Sequence, residues 1–123
     1  MDSEQQDLLE YLLYSIKHSF VHSSISQGYS LYAIGNSIED CDFLLSVKYS
    51  HTDNFDVWCE YEIFFNKIPT TKVILPLNST IKDKQSIAIL EIFKMCSNKV
   101  IAQERLAKKN MFLRSFVNEP NTH

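Results

Sequence analysis

Residues 55–65 alternate without a break. Phe55, Val57, Cys59, Tyr61, Ile63 and Phe65 fall on one side, and Asp56, Trp58, Glu60, Glu62 and Phe64 on the other. That pattern predicts a strand with one face on a core. Phe43, Leu45, Val47 and Tyr49 alternate in the same way with Leu44, Ser46 and Lys48, and residues 50–54 supply turn formers between the two runs. The pair therefore predicts an antiparallel hairpin. Residues 29–34 and 72–75 predict two shorter strands, the second held to an edge by Pro76.

Helical spacing brackets these strands. Ser3 and Gln6 have the form of a capping box, and Leu8, Leu9, Leu12, Leu13, Ile16 and Phe20 recur at three and four residues, so a first helix is expected over residues 4–23. Asn78, Ser79, Thr80 and Asp83 mark a second entry, followed by Ile81, Ala88, Ile89, Ile92, Phe93, Cys96 and Val100 on one face. Nothing breaks that pattern before Pro120, and a straight helix over residues 81–117 would run for roughly 55 Å. It either bends near Ser97 and Asn98 or projects into a partner. The expected fold class is α+β: a two-layer sandwich with an N-terminal helix, an antiparallel sheet of three or four strands, and one long or two shorter C-terminal helices. Residues 1–123 read as a single domain with a frayed tail at 118–123. The order resembles, in arrangement, several adaptor and chaperone folds, RWD-like domains among them. Ile68-Pro69 and Leu75-Pro76 do not reproduce the Tyr-Pro loop of many RWD domains.

Charge changes the picture. Residues 1–62 carry eleven Asp/Glu against two Lys/Arg, and residues 63–123 carry four against ten, so the net −3 is the sum of −9 and +6. Such polarity points to a macromolecular partner or to self-association. The chain is 45% apolar and 22% charged, ordinary for a globular domain, and the two glycines leave no GxGxxG or P-loop cradle. Three widely spaced cysteines with no CxxC pair, and no secretory leader before Asp2, lead to the expectation of a reducing, intracellular setting, cytoplasmic or nuclear. No run is long enough to span a membrane, and no cofactor or metal is expected.

Four groups of residues carry candidate chemistry. His18 and His22 stand four apart, which on a helix brings two imidazoles to one face, but two ligands do not close a tetrahedral shell. Glu39, Asp40, Asp42, Asp53 and Asp56 are hard oxygen ligands for a divalent cation, or a solvated acidic face. Lys94, Lys99, Arg105, Lys108, Lys109 and Arg114 form a basic helical stripe suited to phosphates, although Glu91 and Glu104 interrupt it. Trp58, Phe64 and Leu44 lie opposite the core face with Glu60 and Glu62, making either an apolar patch rimmed by negative charge or a surface covered by the C-terminal helices.

The leading expectation is a small non-enzymatic protein-interaction module: an adaptor, assembly chaperone, inhibitor or complex subunit. Its partner is another protein, a second copy, or both. The expected anchors are Trp58, Phe64, Phe112, Leu113 and Phe116, with Glu60, Glu62, Arg105 and Lys109 steering. A nucleic-acid-binding factor using the basic helix is the alternative, and a metal-dependent hydrolase using the acidic cluster comes third.

Overall fold

The computed structural model describes residues 3–51, 57–76 and 83–117. Helix α1 (Ser3–His18) leads into β1 (Val21–Ser26), β2 (Tyr29–Gly35), β3 (Cys41–His51), β4 (Val57–Phe65) and β5 (Ile68–Pro76), and helix α2 (Lys84–Val117) follows. The strands form one antiparallel meander in sequence order, with β1 and β5 at its edges. This is the α+β arrangement expected, with one strand more. The expected entry at Asn78, Ser79, Thr80 and Ile81, the acids Asp53 and Asp56, and the tail at 118–123 lie outside the described residues.

The extra strand comes from the shortened first helix. Helix α1 stops at His18 rather than near residue 23, where the Lys99 ammonium donates to the Lys17 carbonyl at 3.0 Å. A cation is favourable at that end of a helix. Val21–Ser26 then pairs with β2 through a two-residue turn whose centre, Gln27 and Gly28, has φ of 52° and 82°. Two positive φ values give the type I′ twist that closes a hairpin. A second such turn joins β4 to β5 at Asn66 (φ 50°) and Lys67 (φ 69°).

All the large buried side chains of the sheet share one face. Val21, Ile34, Phe43, Leu45, Val47, Cys59, Tyr61 and Ile63 meet Leu12 and Ile16 of α1 and Ile89, Ile92 and Cys96 of α2. Both helices therefore cover the same side, and the face bearing Trp58 and Phe64 carries no helix among the described residues. Helix α2 is unbroken through Ser97 and Asn98 and is about 51 Å long at 1.5 Å per residue. Its contacts advance across the sheet. Phe93 packs edge-on against Tyr61 of β4 and Tyr32 of β2, Ser97 Oγ donates to the Tyr32 hydroxyl at 3.3 Å, and Gln103 reaches Val21 of β1. The helix thus crosses obliquely from the β5 side to the β1 edge and continues past it.

Asp83 starts α2, its carboxylate accepting from the Ser86 amide at 2.8 Å and the Ser86 hydroxyl at 2.9 Å. Those two hydrogen bonds hold the Asp83 carboxyl below its ordinary pKa. The cap therefore contributes fully above the usual Asp range and is lost as pH falls through the lowered value.

Three substitutions test the turns. A Cβ on Gly35 (φ 155°) would stand 2.5 Å from the Cys41 Cα and 2.9 Å from the Asp40 carbonyl oxygen, backbone on both counts. Gly35→Ala is expected to lose about 2 kcal/mol or more in urea unfolding, against about 1 kcal/mol for Gly28→Ala, where only the positive φ opposes a side chain. Lys67→Gly is expected to raise the unfolding midpoint by an equivalent of about 0.5–1 kcal/mol, because it leaves Asn-Gly at a turn that asks for positive φ twice.

Candidate functional site

The expected anchors separate into two places. Trp58, Glu60, Glu62 and Phe64 lie on the helix-free face of the sheet, while Arg105, Lys109, Phe112, Leu113 and Phe116 lie on the part of α2 beyond the β1 edge.

On the sheet the acidic rim is neutralised. Lys48 stands opposite Glu60 on β3, and Lys72 stands opposite Glu62 on β5. Lys72 Nζ reaches diagonally to Glu60 Oε1 at 2.8 Å, a hydrogen bond that raises the Lys72 pKa. Lys48 also sits over the Tyr29 ring at 5.1 Å from its centroid. Two acids between two bases give no net charge, so this face is not a negative patch. Trp58 is half-buried, and its indole N–H is covered and meets no acceptor among the described residues. Phe64 lines a depression of about 200 Å³ with Ile38, Leu44 and Lys67. A typical small-molecule site needs upwards of about 300 Å³.

On α2 the two halves of the helix face opposite ways. At 100° per residue, Ile89, Ile92, Phe93, Cys96 and Val100 face the sheet, and Gln103 and Ala107 continue that line. Beyond Val100 the large apolar residues leave it, apart from Met111. Ile101, Phe112 and Phe116 occupy a sector roughly opposite, together with Arg105, Lys108 and Lys109, while Leu106 and Leu113 lie on the flank toward the end of α1, where Leu106 lines a cavity of about 550 Å³ with Ser19 and Phe20. All are exposed, Phe112 at 62% and Phe116 at 65%, and these two rings contact each other with centroids 5.1 Å apart. Over residues 101–117, Arg105, Lys108, Lys109 and Arg114 stand against Glu104, a net +3.

The basic stripe is accordingly divided. Lys94, Arg105, Lys108 and Lys109 share the outward side, Lys99 is committed to the end of α1, and Arg114 points to the sheet side. The junction at the sheet edge is polar and well defined. Gln103 Oε1 accepts from the Val21 amide at 2.9 Å and Gln103 Nε2 donates to the Val21 carbonyl at 2.7 Å. One side-chain amide thus satisfies both backbone groups of a strand residue, as a neighbouring strand would.

The remaining candidate chemistry does not assemble. With α1 ending at His18, the two histidines lose their helical spacing: His18 stacks on Tyr14, while His22, on β1, donates through Nε2 to the Gly35 carbonyl at 2.9 Å. Glu39 and Asp40 belong to the tight 36–40 loop and Asp42 to the start of β3. Among the described residues no three His, Cys, Asp or Glu side chains are grouped to hold a metal ion, and no helix is long and apolar enough to cross a membrane.

The cysteines are free and differ in setting. Burial pushes the Cys96 thiol up to about 12 and raises Cys59 as well. Cys41 is raised by burial and then by the carboxylates of Asp42 and Asp40, and its thiol donates to the Ile38 carbonyl at 3.4 Å. A raised pKa lowers the thiolate fraction at a given pH. Iodoacetamide at pH 7.5 is therefore expected to modify Cys41 first and more slowly than a free thiol, with Cys59 and Cys96 reacting only in denaturant. Asp42→Asn is expected to speed the Cys41 reaction, as read by mass spectrometry.

In the comparisons with known proteins, no family model, no curated protein and no solved structure matches this chain.

Proposed function

We propose that the protein is a non-enzymatic protein-interaction module of the adaptor, assembly-chaperone, inhibitor or complex-subunit kind, and that the overhanging part of α2 is its docking element. One observation carries this reading: the overhang turns Ile101, Phe112 and Phe116 away from its own domain and leaves Leu113 exposed beside them. An apolar surface of that size facing solvent is characteristic of an interaction site. Helix-in-groove recognition uses apolar anchors at such spacings. The interleaved Arg105, Lys108 and Lys109 suit a groove with an acidic rim, and they favour encounter with it at low salt. The sheet anchors Trp58 and Phe64 are secondary in this scheme, since one is partly covered and the other lines a shallow depression.

Nucleic acid is the second reading, supported by the cations that share the outward side of α2 with two exposed aromatic rings. Phosphate contact and base stacking use such a combination.

Affinity purification of the tagged chain from its source cells, with and without nuclease, separates the two. A near-stoichiometric protein that resists nuclease and high salt is expected. Phe112→Ala with Phe116→Ala should weaken its binding at least about tenfold. The unfolding free energy should change by no more than about 0.5 kcal/mol, because both side chains are exposed. If the double variant binds normally, the overhang is not the docking element. Loss of the associated species on nuclease treatment, with a salt slope that becomes shallower by about two when Lys108 and Lys109 are neutralised, would establish nucleic acid instead.

A further inference from the structure

The two edges of the sheet are built differently. Strand β5 carries Pro69, Lys72 and Pro76, each a recognised guard against pairing with another chain. Strand β1, Val-His-Ser-Ser-Ile-Ser, has no proline and no Lys, Arg, Asp or Glu. Its backbone geometry states what it has to offer. The Val21 amide and carbonyl point away from β2, because both are held by Gln103. In an antiparallel ladder alternate residues repeat that direction, so the amide and carbonyl groups of Ser23 and Ile25 face outward as well. Gln103 occupies the first of three outward slots and leaves two. On the helix side of the same strand, Ile25 is 81% exposed, since α2 crosses β1 at Val21 and no described element lies over the hairpin end.

We infer that this edge pairs with β1 of a second copy, antiparallel about a two-fold axis at Ser24. The occupant follows from self-complementarity. Outward slots at Ser23 and Ile25 allow Ser23 of each copy to pair with Ile25 of the other, giving about four backbone hydrogen bonds across the axis. Registers centred on Ser23 or Ile25 would put a partner residue against the Gln103 clip or run it into the turn at Gln27 and Gly28, so each allows fewer. In the Ser24 register the two Ile25 side chains lie diagonally on the helix side, each shielding the other, and the two Ser24 side chains meet directly on the opposite face. Electrostatics also select this edge over the overhang for self-association. Two β1 strands meet without Lys, Arg, Asp or Glu, whereas two overhangs would bring together +3 and +3. The partner's hairpin turn then abuts the notch of about 240 Å³ between β1 and α2, lined by Phe20, His22, Val100, Gln103 and Ala107 among others. This inference does not rest on the docking role of the overhang, whose aromatic sector stays outward in the paired form.

Sedimentation equilibrium of the full chain over a concentration series is the test. A reversible dimer is expected. Ile25→Lys, which sets a charge on each strand at the axis, should raise its dissociation constant at least tenfold with unchanged circular dichroism. Ser23→Pro, which removes an outward N–H without touching the β1–β2 ladder, should do the same. Ser24→Cys should form an intermolecular disulfide on mild oxidation, and Ser26→Cys, placed opposite His22 of the other copy, should not. A wild-type chain that stays monomeric at millimolar concentration overturns the proposal. So does a dimer that survives Ile25→Lys, or one abolished instead by Phe112→Ala with Phe116→Ala, which would place self-association on α2.

Discussion

The course of α2 across the sheet sets the rest of the structure. A twisted antiparallel sheet with one apolar face needs a second layer, and α2 supplies most of it by running obliquely from β5 toward β1 with Phe93 wedged between Tyr61 and Tyr32. An oblique line leaves two corners of that face. One, around Phe43, is filled by α1, whose Tyr11 packs on the Phe43 ring with centroids 5.4 Å apart. The other, at the β1–β2 turn, is left open with Ile25. The same line carries the helix beyond the sheet, because about 51 Å of helix cannot be accommodated over five strands spaced roughly 4.8 Å apart. Both surfaces assigned to partners are consequences of that single packing direction.

Gln103 marks where α2 changes role. Up to Val100 the helix is held by apolar burial, and beyond it by this amide clip, by the small Ala107 and by the side of Leu106 and Asn110 that faces Ser19 and Phe20. A side chain that satisfies both backbone groups of an edge residue stops the sheet from growing at that slot without burying an unpaired group. It also fixes the point from which the overhang extends. The chain thus pairs a rigid anchor with an unsupported half-helix, whose exposed apolar sector is stable in water only because the other half is tied down.

Much of this was legible in the sequence where the signal is local. The alternation over residues 55–65 identified the core face of β4 through Cys59, Tyr61 and Ile63, and the repeat from Ile89 to Val100 identified the buried side of α2. Excess helical length allowed either a bend near Ser97 and Asn98 or a projection, and the helix runs unbroken. What escaped is non-local or depends on unusual backbone. Strand β1 has only Val21 and Ile25 as apolar residues, and its turn uses Gln27 at positive φ, so the segment read as the tail of a helix. Lys67 at positive φ hid the β4–β5 turn in the same way. The neutral character of the Trp58 face depends on Lys48 and Lys72 lying opposite Glu60 and Glu62, and cross-strand register is invisible before the strands are paired.

Charge polarity gains a spatial meaning from the fold. The described acids of the first half are dispersed over the α1 N-terminal turns, the 36–40 loop, the start of β3 and a sheet face where Lys48 and Lys72 answer them, while seven of the ten bases of the second half lie on α2, four of them on the overhang. A dispersed charge of one sign raises solubility, whereas a concentrated charge of the other sign selects a partner. Because the overhang is basic in every copy, two overhangs repel each other at close range, which under the proposed docking role favours a complement in a different molecule. The uncharged β1 edge has the opposite property, since nothing in it discriminates against an identical strand. The two proposed associations are thereby separated physically: like would meet like along the sheet, and unlike would be met by the helix.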